Sequence, residues 1–250
     1  MHDLAPVYDP LVLAISGSYV LRSGILDEFS TGSLEVDDAF GPFYGRCCAL
    51  SPEVFDPDRF EPHEGFWAFD TSKQGSSSGE LAWFQVGLSG HRETLIPLPV
   101  IFDAGVHAIN QVASVSIAQY RVQVPLSSSS TDSVLLHNLL DQFVVVASRK
   151  PVTVVASLWL KDPLLGQIGV DAWFSQTHLG PLEIKGISKK TTHIALDNRW
   201  SLRKPKHLIE VTLEAPEWSP ISASTIALLM VSAAQAACCT STAILDLTVA

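Results

Sequence analysis

From His207 to Glu214 the chain alternates between apolar and polar: Ile209, Val211 and Leu213 fall on one side, Glu210, Thr212 and Glu214 on the other. Thr242 to Val249 repeats the pattern, with Leu245, Leu247 and Val249 opposed by Asp246 and Thr248. A period of two over such lengths predicts β-strands with one buried face. Between them Thr225 to Val231 is almost wholly apolar, as in a strand covered on both faces. The chain is therefore expected to end inside a sheet.

The same reading applied upstream predicts strands at Pro10 to Leu21, with a pinch at Ser16-Gly17-Ser18, and at Glu80 to Leu88. Thr94 to Phe102 reads as a strand pushed to an edge by Pro97 and Pro99. Gln111 to Val124 alternates well, and Phe40 to Leu50 reads as a turn feeding a short strand. Ser127 to Ser130 is a low-complexity loop and the natural midpoint break; after it Asp132 caps a short helix carrying Leu135, Leu136, Leu139 and Leu140. Phe143 to Ala147, Val152 to Leu160, Gln167 to Phe174, Leu182 to Ile187 and Thr192 to Leu196 complete the strands. Three prolines between Ser51 and His63 exclude long regular structure there. The aromatics Phe55, Phe60, Phe66, Trp67 and Phe69 make that stretch an ordered excursion, not a linker. About a dozen short strands with no βαβ rhythm predict an antiparallel sandwich or barrel. No internal repeat is visible. One domain is expected over 1–250, with 1–80 an irregular N-terminal extension plus the first strands.

Composition adds one inference. Hydrophobic residues make up 47% and charged ones 17%, which implies a large core and more apolar surface than a lone monomer needs, hence contacts with other subunits. The net charge of −10 is concentrated: residues 1–70 hold 13 of the 26 acids and only Arg22, Arg46 and Arg59 as bases. Seven bases crowd into a short stretch: Lys185, Lys189, Lys190, Arg199, Arg203, Lys204 and Lys206. They form either a solvated loop or a patch facing RNA or a neighbouring subunit.

Candidate chemistry is sparse. Cys47-Cys48 and Cys238-Cys239 lack the CxxC spacing of zinc and redox sites and read as free thiols in a reducing compartment. Met1-His-Asp-Leu has no basic signal region, Leu11 to Leu21 is too short and broken to span a membrane, and no glycosylation sequon occurs; an intracellular product is expected. Gly87-Leu-Ser-Gly-His91 approaches a nucleophile elbow but ends in His, so Ser89 and His91 fit a polar turn. His63-Glu64 lacks the second histidine of a zinc protease, and Asp56, Asp58 and Glu35 to Asp38 lack the glycine and spacing of a calcium loop. No metal or cofactor is expected.

Three segments carry a family resemblance: Trp200-Ser-Leu-Arg-Lys-Pro-Lys-His-Leu-Ile-Glu-Val211, Ile226-Ala-Leu-Leu-Met-Val-Ser-Ala-Ala234 and Ala243-Ile-Leu-Asp-Leu-Thr-Val249. Following a proline-broken N-terminal segment, this order resembles the jelly-roll coat proteins of picorna-like RNA viruses, the plant secovirus group in particular. The resemblance implies an all-β fold, an antiparallel jelly-roll β-sandwich with one or two short helices. It implies a non-enzymatic subunit of an icosahedral capsid around RNA, found in the virion and in host cytoplasm during assembly. Its partners would be copies of itself or sister coat domains, with genomic RNA met through the basic stretch, and no membrane. Two rivals remain open. One is a β-barrel or sandwich enzyme or small-ligand protein using Trp83, His91, Trp173 and His178, which expects a deep apolar pocket. The other is an interaction module for carbohydrate or protein, which expects exposed aromatics clustered on one face.

Overall fold

The computed structural model describes residues 9–25, 39–50, 60–69, 77–88, 94–95, 97–130, 136, 138–141, 151–161, 167–177, 179–202 and 204–250. In chain order they give β1 (Leu11–Leu21), α1 (Phe40–Leu50), β2 (Phe60–Trp67), β3 (Ser77–Leu88), β4 (Thr94–Leu95), α2 (Leu98–Val112) and β5 (Ala113–Pro125). A 3-10 turn (Leu126–Ser128) and β6 (Ser129–Ser130) lead on to β7 (Val152–Leu160), α3 (Gln167–Gln176), β8 (Glu183–Thr191), β9 (His207–Ala215), α4 (Pro220–Ala236) and β10 (Thr242–Val249). Eight strands form one open sheet in the order β2-β3-β1-β5-β10-β7-β9-β8. Every neighbouring pair in it is antiparallel. The two short strands β4 and β6 pair separately.

That order is symmetric. The first half runs β1-α1-β2-β3-α2-β5 with sheet order β2-β3-β1-β5; the second runs β7-α3-β8-β9-α4-β10 with order β8-β9-β7-β10. Each half has the split-βαβ, ferredoxin-like topology. The halves join through their last strands, β5 and β10, so a pseudo-two-fold axis passes between them. Register fixes its position. The row Trp67, Ala82, Ile15, Tyr120, Leu247, Ala156, Val211, Ile187 crosses the whole sheet, with Tyr120 opposite Leu247 at its centre.

The helices cover one face. Phe43 of α1 stacks on Phe84 of β3 at 4.4 Å, and Phe102 of α2 meets Tyr120 of β5 at 4.9 Å. α2 sits so close to the sheet that a Cβ on Gly105 would lie 3.0 Å from Ile15 and 3.2 Å from Leu13 and Phe84. A single core runs through both halves, from Leu13 and Phe84 to Leu247, Val211 and α4.

The expected β-rich, antiparallel character holds, but among the described residues the layer facing the sheet is helical, not a second sheet. The expected strand at Thr225 to Val231 lies inside α4, so the middle of the three segments carrying the coat-protein resemblance is helix. α4 is buried all round from Ser222 to Ala234, which erases the 3.6-residue apolar stripe; its length is what separates it from a strand. Ser219 caps it by accepting from Ser222 N, and Pro220 opens it. Buried hydroxyls stay satisfied within the helix, Ser224 and Thr225 donating to Ile221 O at 3.0 and 2.8 Å. Pro97 and Pro99 likewise mark the start of α2, not an edge strand, because the first helical N–H groups need no acceptor within the helix. The strands expected at Phe40 to Leu50 and Gln167 to Phe174 are α1 and α3, and Thr192 to Leu196 is not a strand. The 143–147 strand lies outside the described residues. The serine run expected as a loop instead forms the end of the 3-10 turn and β6, which pairs with β4, and it lies between β5 of the first half and β7 of the second.

Candidate functional site

Side chains that alternate away from the helices point to the outer face of the sheet. There Val12, Ala14, Trp159, Leu208 and Ile244 form a second, smaller apolar cluster with Trp200 and Leu202. The last two come from the β8–β9 connection, residues 192–206, which lies over this face as a strap. Its ends are pinned together, Thr192 N donating to Lys206 O at 3.0 Å, the closed form of an Ω-loop. Just past its tip it is pinned by Gln123 of β5, which is completely buried. Gln123 Oε1 accepts from Ser201 N at 2.7 Å and Leu202 N at 3.3 Å. Its Nε2 donates to Pro10 O at 2.8 Å and Ser201 Oγ at 3.2 Å. A buried amide with both ends satisfied fixes the strap in one register. Trp200 sits beneath the Arg121 guanidinium, 5.7 Å from ring centroid to Cζ.

The strap therefore starts in the second half and reaches across the pseudo-axis to the first. Its tip faces β2 and β3 across a groove of ≈ 640 Å³ lined by Glu64, Phe66, Trp83, Gln85, Asp197, Asn198 and Arg199. Phe66 and Trp83 are register partners on neighbouring strands, stacked at 5.1 Å and 20°. Phe66 is 46% exposed. Arg199 lies 5.7 Å from the centroid of Trp83 and grips two carboxylates. Its Nε and Nη2 donate to Asp197 Oδ2 at 3.0 and 2.5 Å, Nη2 also to Glu80 Oε2 at 3.1 Å, and Nη1 to Glu80 Oε1. The hydrogen bonds from Arg199 hold the Asp197 carboxyl below its usual range, and the two carboxylates push the guanidinium further up, so it stays charged.

The two halves differ here. The axis through Tyr120 and Leu247 carries Phe66 and Trp83 onto Gly186 and Thr212, which are likewise register partners. The aromatic pair thus belongs to one half alone.

The basic stretch does not form one cationic surface among the described residues. Lys185, Lys189 and Lys190 lie on the edge strand β8. Lys185 bridges Glu183 at 2.8 Å and Glu214 at 3.1 Å. Lys189 reaches Asp171 of α3 on the helix side at 2.5 Å, and Lys190 reaches Glu210 on the outer side at 3.2 Å. Lysines on an exposed edge also discourage strand addition there. Arg199 serves the groove, Lys204 and Lys206 belong to the returning limb of the strap, and Arg203 is outside the described residues.

Of the rival site residues, Trp83 is in the groove, whereas Trp173 is on α3 on the helical side, edge-on to Phe174 at 5.1 Å. The structure does not bring these two together. His91 and His178 lie outside the described residues, as do Ser89, Asp56, Asp58 and Glu35 to Asp38. The cysteines are free thiols: Cys47 and Cys48 on α1, Cys238 and Cys239 just past α4. Burial pushes the Cys47 thiol well up. Among the described residues no three His, Cys, Asp or Glu side chains converge as a metal site, and no helix is long and apolar enough to cross a membrane. Sequence reasoning missed Glu64, Gln85, Asp197 and Asn198 as neighbours of Trp83; alternation on β2 and β3 signals their face, but only the strap's path unites them.

The chain matches no protein-family model, no curated protein and no solved structure. Among the described residues the fold is two split-βαβ halves sharing one antiparallel sheet, with an aromatic groove on the outer face.

Proposed function

We propose that the chain is a non-enzymatic binding protein that takes its ligand on the outer face of the sheet, in the groove between the strap tip and the Phe66–Trp83 pair. The observation that carries this reading is the asymmetry of the duplication. One half keeps a half-exposed aromatic ring propped on a second ring, while the symmetry-related positions are glycine and threonine. The two stacked rings form an apolar wall with Gln85, Asn198 and Glu64 beside it, the mixture of aromatic surface and a few polar groups that ligand sites present. A ligand-observed NMR screen with a mixed fragment library tests it. Hits should compete for one place and vanish in Phe66→Ala; hits spread over the surface and indifferent to Phe66 would overturn it.

A second reading, the shell-forming coat subunit, draws support from Val20, Leu50 and Ile221, apolar side chains 58%, 42% and 41% exposed outside the groove lining. A neighbouring copy would cover them. Light scattering and electron microscopy of the purified chain, alone and with RNA, decide it: closed particles support the shell, and a monomer under every condition removes it.

A further inference from the structure

We infer that the groove beside Phe66 takes a neutral saccharide, an inference that rests on the binding-protein reading above. The ring comes first. Phe66 lies nearly parallel to Trp83 and 46% exposed, which presents a flat apolar platform at the edge strand of the sheet. A pyranose offers a C–H face of matching shape, and its burial against an aromatic ring is favourable without any charge.

The charges come second, and they select against ionic ligands. Arg199 already commits its N–H groups to Asp197 and Glu80. Those two carboxylates and Glu64 outnumber the single guanidinium, so a phosphate or sulfate would have to break existing pairs and approach like charge. Single-stranded nucleic acid stacks on aromatics too, but it needs a positive groove for its backbone. An ammonium ligand gains little, because Asp197 is already paired with Arg199 and Glu64 is exposed, where solvent screens its attraction.

The edges come third. Gln85 and Asn198 each supply both donors and acceptors, and the Glu64 and Asp197 oxygens accept. A hydroxyl both donates and accepts, so a ring of hydroxyls beside an apolar face complements this mixture. The groove, ≈ 640 Å³ and largely open to solvent, leaves room for a sugar ring lying on Phe66 with its other face in water.

The test uses the full chain on an array of neutral oligosaccharides (glucans, xylans, chito-oligomers and galactosides), with parallel arms of peptides, sulfated glycans and RNA. Captured sugars are then titrated by calorimetry against wild type, Phe66→Ala and Asn198→Ala, with folding checked by circular dichroism. We expect capture in the neutral arm, weakened about tenfold or more by Phe66→Ala, since losing a stacked ring costs on the order of 1.4 kcal/mol. Asn198→Ala should weaken it by about threefold to tenfold through lost hydrogen bonds. Phe66-dependent capture in the peptide, sulfated or RNA arm alone overturns the saccharide and leaves the binding-protein reading standing. Sugar binding that ignores Phe66 overturns the placement in this groove. Absence of Phe66-dependent capture in every arm removes both.

Discussion

Arg121 and Asp246 stand directly opposite each other where the two halves of the sheet meet, with Nε 2.5 Å from Oδ1 and Nη2 3.0 Å from Oδ2. Asp246 Oδ1 also accepts from Gln119 Nε2 at 3.2 Å. The pseudo-axis turns this pair onto Gln119 and Thr248, also cross-strand partners but without a bridge of their own, so the seam carries one ionic clasp, off centre. The Arg121 and Asp246 side chains are only 27% and 12% exposed, and Trp200 of the strap lies against the guanidinium. Clasp and strap are thus one unit.

Removing one partner should cost more than removing both. Asp246→Ala leaves a half-buried guanidinium without its anion and should destabilise the chain by about 2–4 kcal/mol in urea unfolding, somewhat under the range for fully buried pairs. The double change Arg121→Met with Asp246→Leu removes both desolvation penalties and should lie within about 1–2 kcal/mol of wild type. Equal losses for the single and double variants would contradict this account.

Gln123 links the sheet to the strap, and its loss should be felt in the strap first. Gln123→Ala removes the acceptor for Ser201 N and Leu202 N and the donor to Pro10 O. Leu202 is buried, Pro10 half-buried and Ser201 exposed, so the lost pairings should cost roughly 1–2 kcal/mol, toward the low end for unpaired buried groups. Hydrogen exchange should speed up at Ser201 and Leu202 before it changes in β1 or β10. Uniform acceleration across the sheet would mean the strap is held by its apolar contacts alone.

The alternation that predicts strands was legible wherever a strand has one face against the helices, as in β7, β9 and β10. It failed at α4, where burial on all sides removes the polar stripe that would reveal a helix. The duplication was hidden for a related reason. Packing constrains equivalent positions to be buried, not to be identical: Tyr120 answers to Leu247, Ile15 to Ala156 and Ala82 to Val211. Prolines give the local echoes: Pro10 and Pro151 just before each half's first strand, and Pro99 and Pro220 in the first turn of the equivalent helices α2 and α4. The groove was half legible. Trp83 stood out as an aromatic, but Phe66 joins it through strand register and Arg199 through a strap from the other half. The basic cluster was visible as charge, whereas its partners Glu80, Asp171, Glu210 and Glu214 are scattered through the sequence and meet it only in space.

Gly17 should tolerate no side chain. It sits at the irregularity between β1 and β5, where a Cβ would fall 2.2 Å from Ser116 O and 2.9 Å from Ile117 Cα. Backbone atoms cannot rotate aside, so β1 and β5 would have to separate. Gly17→Ala should cost about 2–3 kcal/mol or more, lowering Tm by roughly 5–10 °C for a chain of this size. Gly105→Ala is the comparison. Its closest contacts are side-chain ends, Ile15 Cδ1 at 3.0 Å and Leu13 Cδ2 at 3.2 Å, and these can shift. Its cost should stay near 1 kcal/mol, at the low end for an overpacked core.

The strap tip should be stable to acid until Asp197 takes up a proton. Hydrogen bonds from the Arg199 side chain and backbone lower the folded-state value of this carboxyl, and the Arg121 charge adds to the effect. A carboxyl that binds protons less readily in the folded chain than in the unfolded one contributes its full share above the unfolded value, near pH 4. That share is lost as pH falls through the lower, folded value. Arg199 stays charged throughout, so the step belongs to the carboxylate. Half of the Asp197 side chain is exposed, so a local readout is needed in place of global stability. Arg199 N donates to Asp197 Oδ1 at 3.0 Å, which makes its amide resonance the natural probe. The resonance should hold steady from pH 8 to pH 5 and move only below about pH 4. Asp197→Asn, which leaves Glu80 in place, should abolish that step. A midpoint above pH 5, or a step that persists in Asp197→Asn, would show that another group governs the tip.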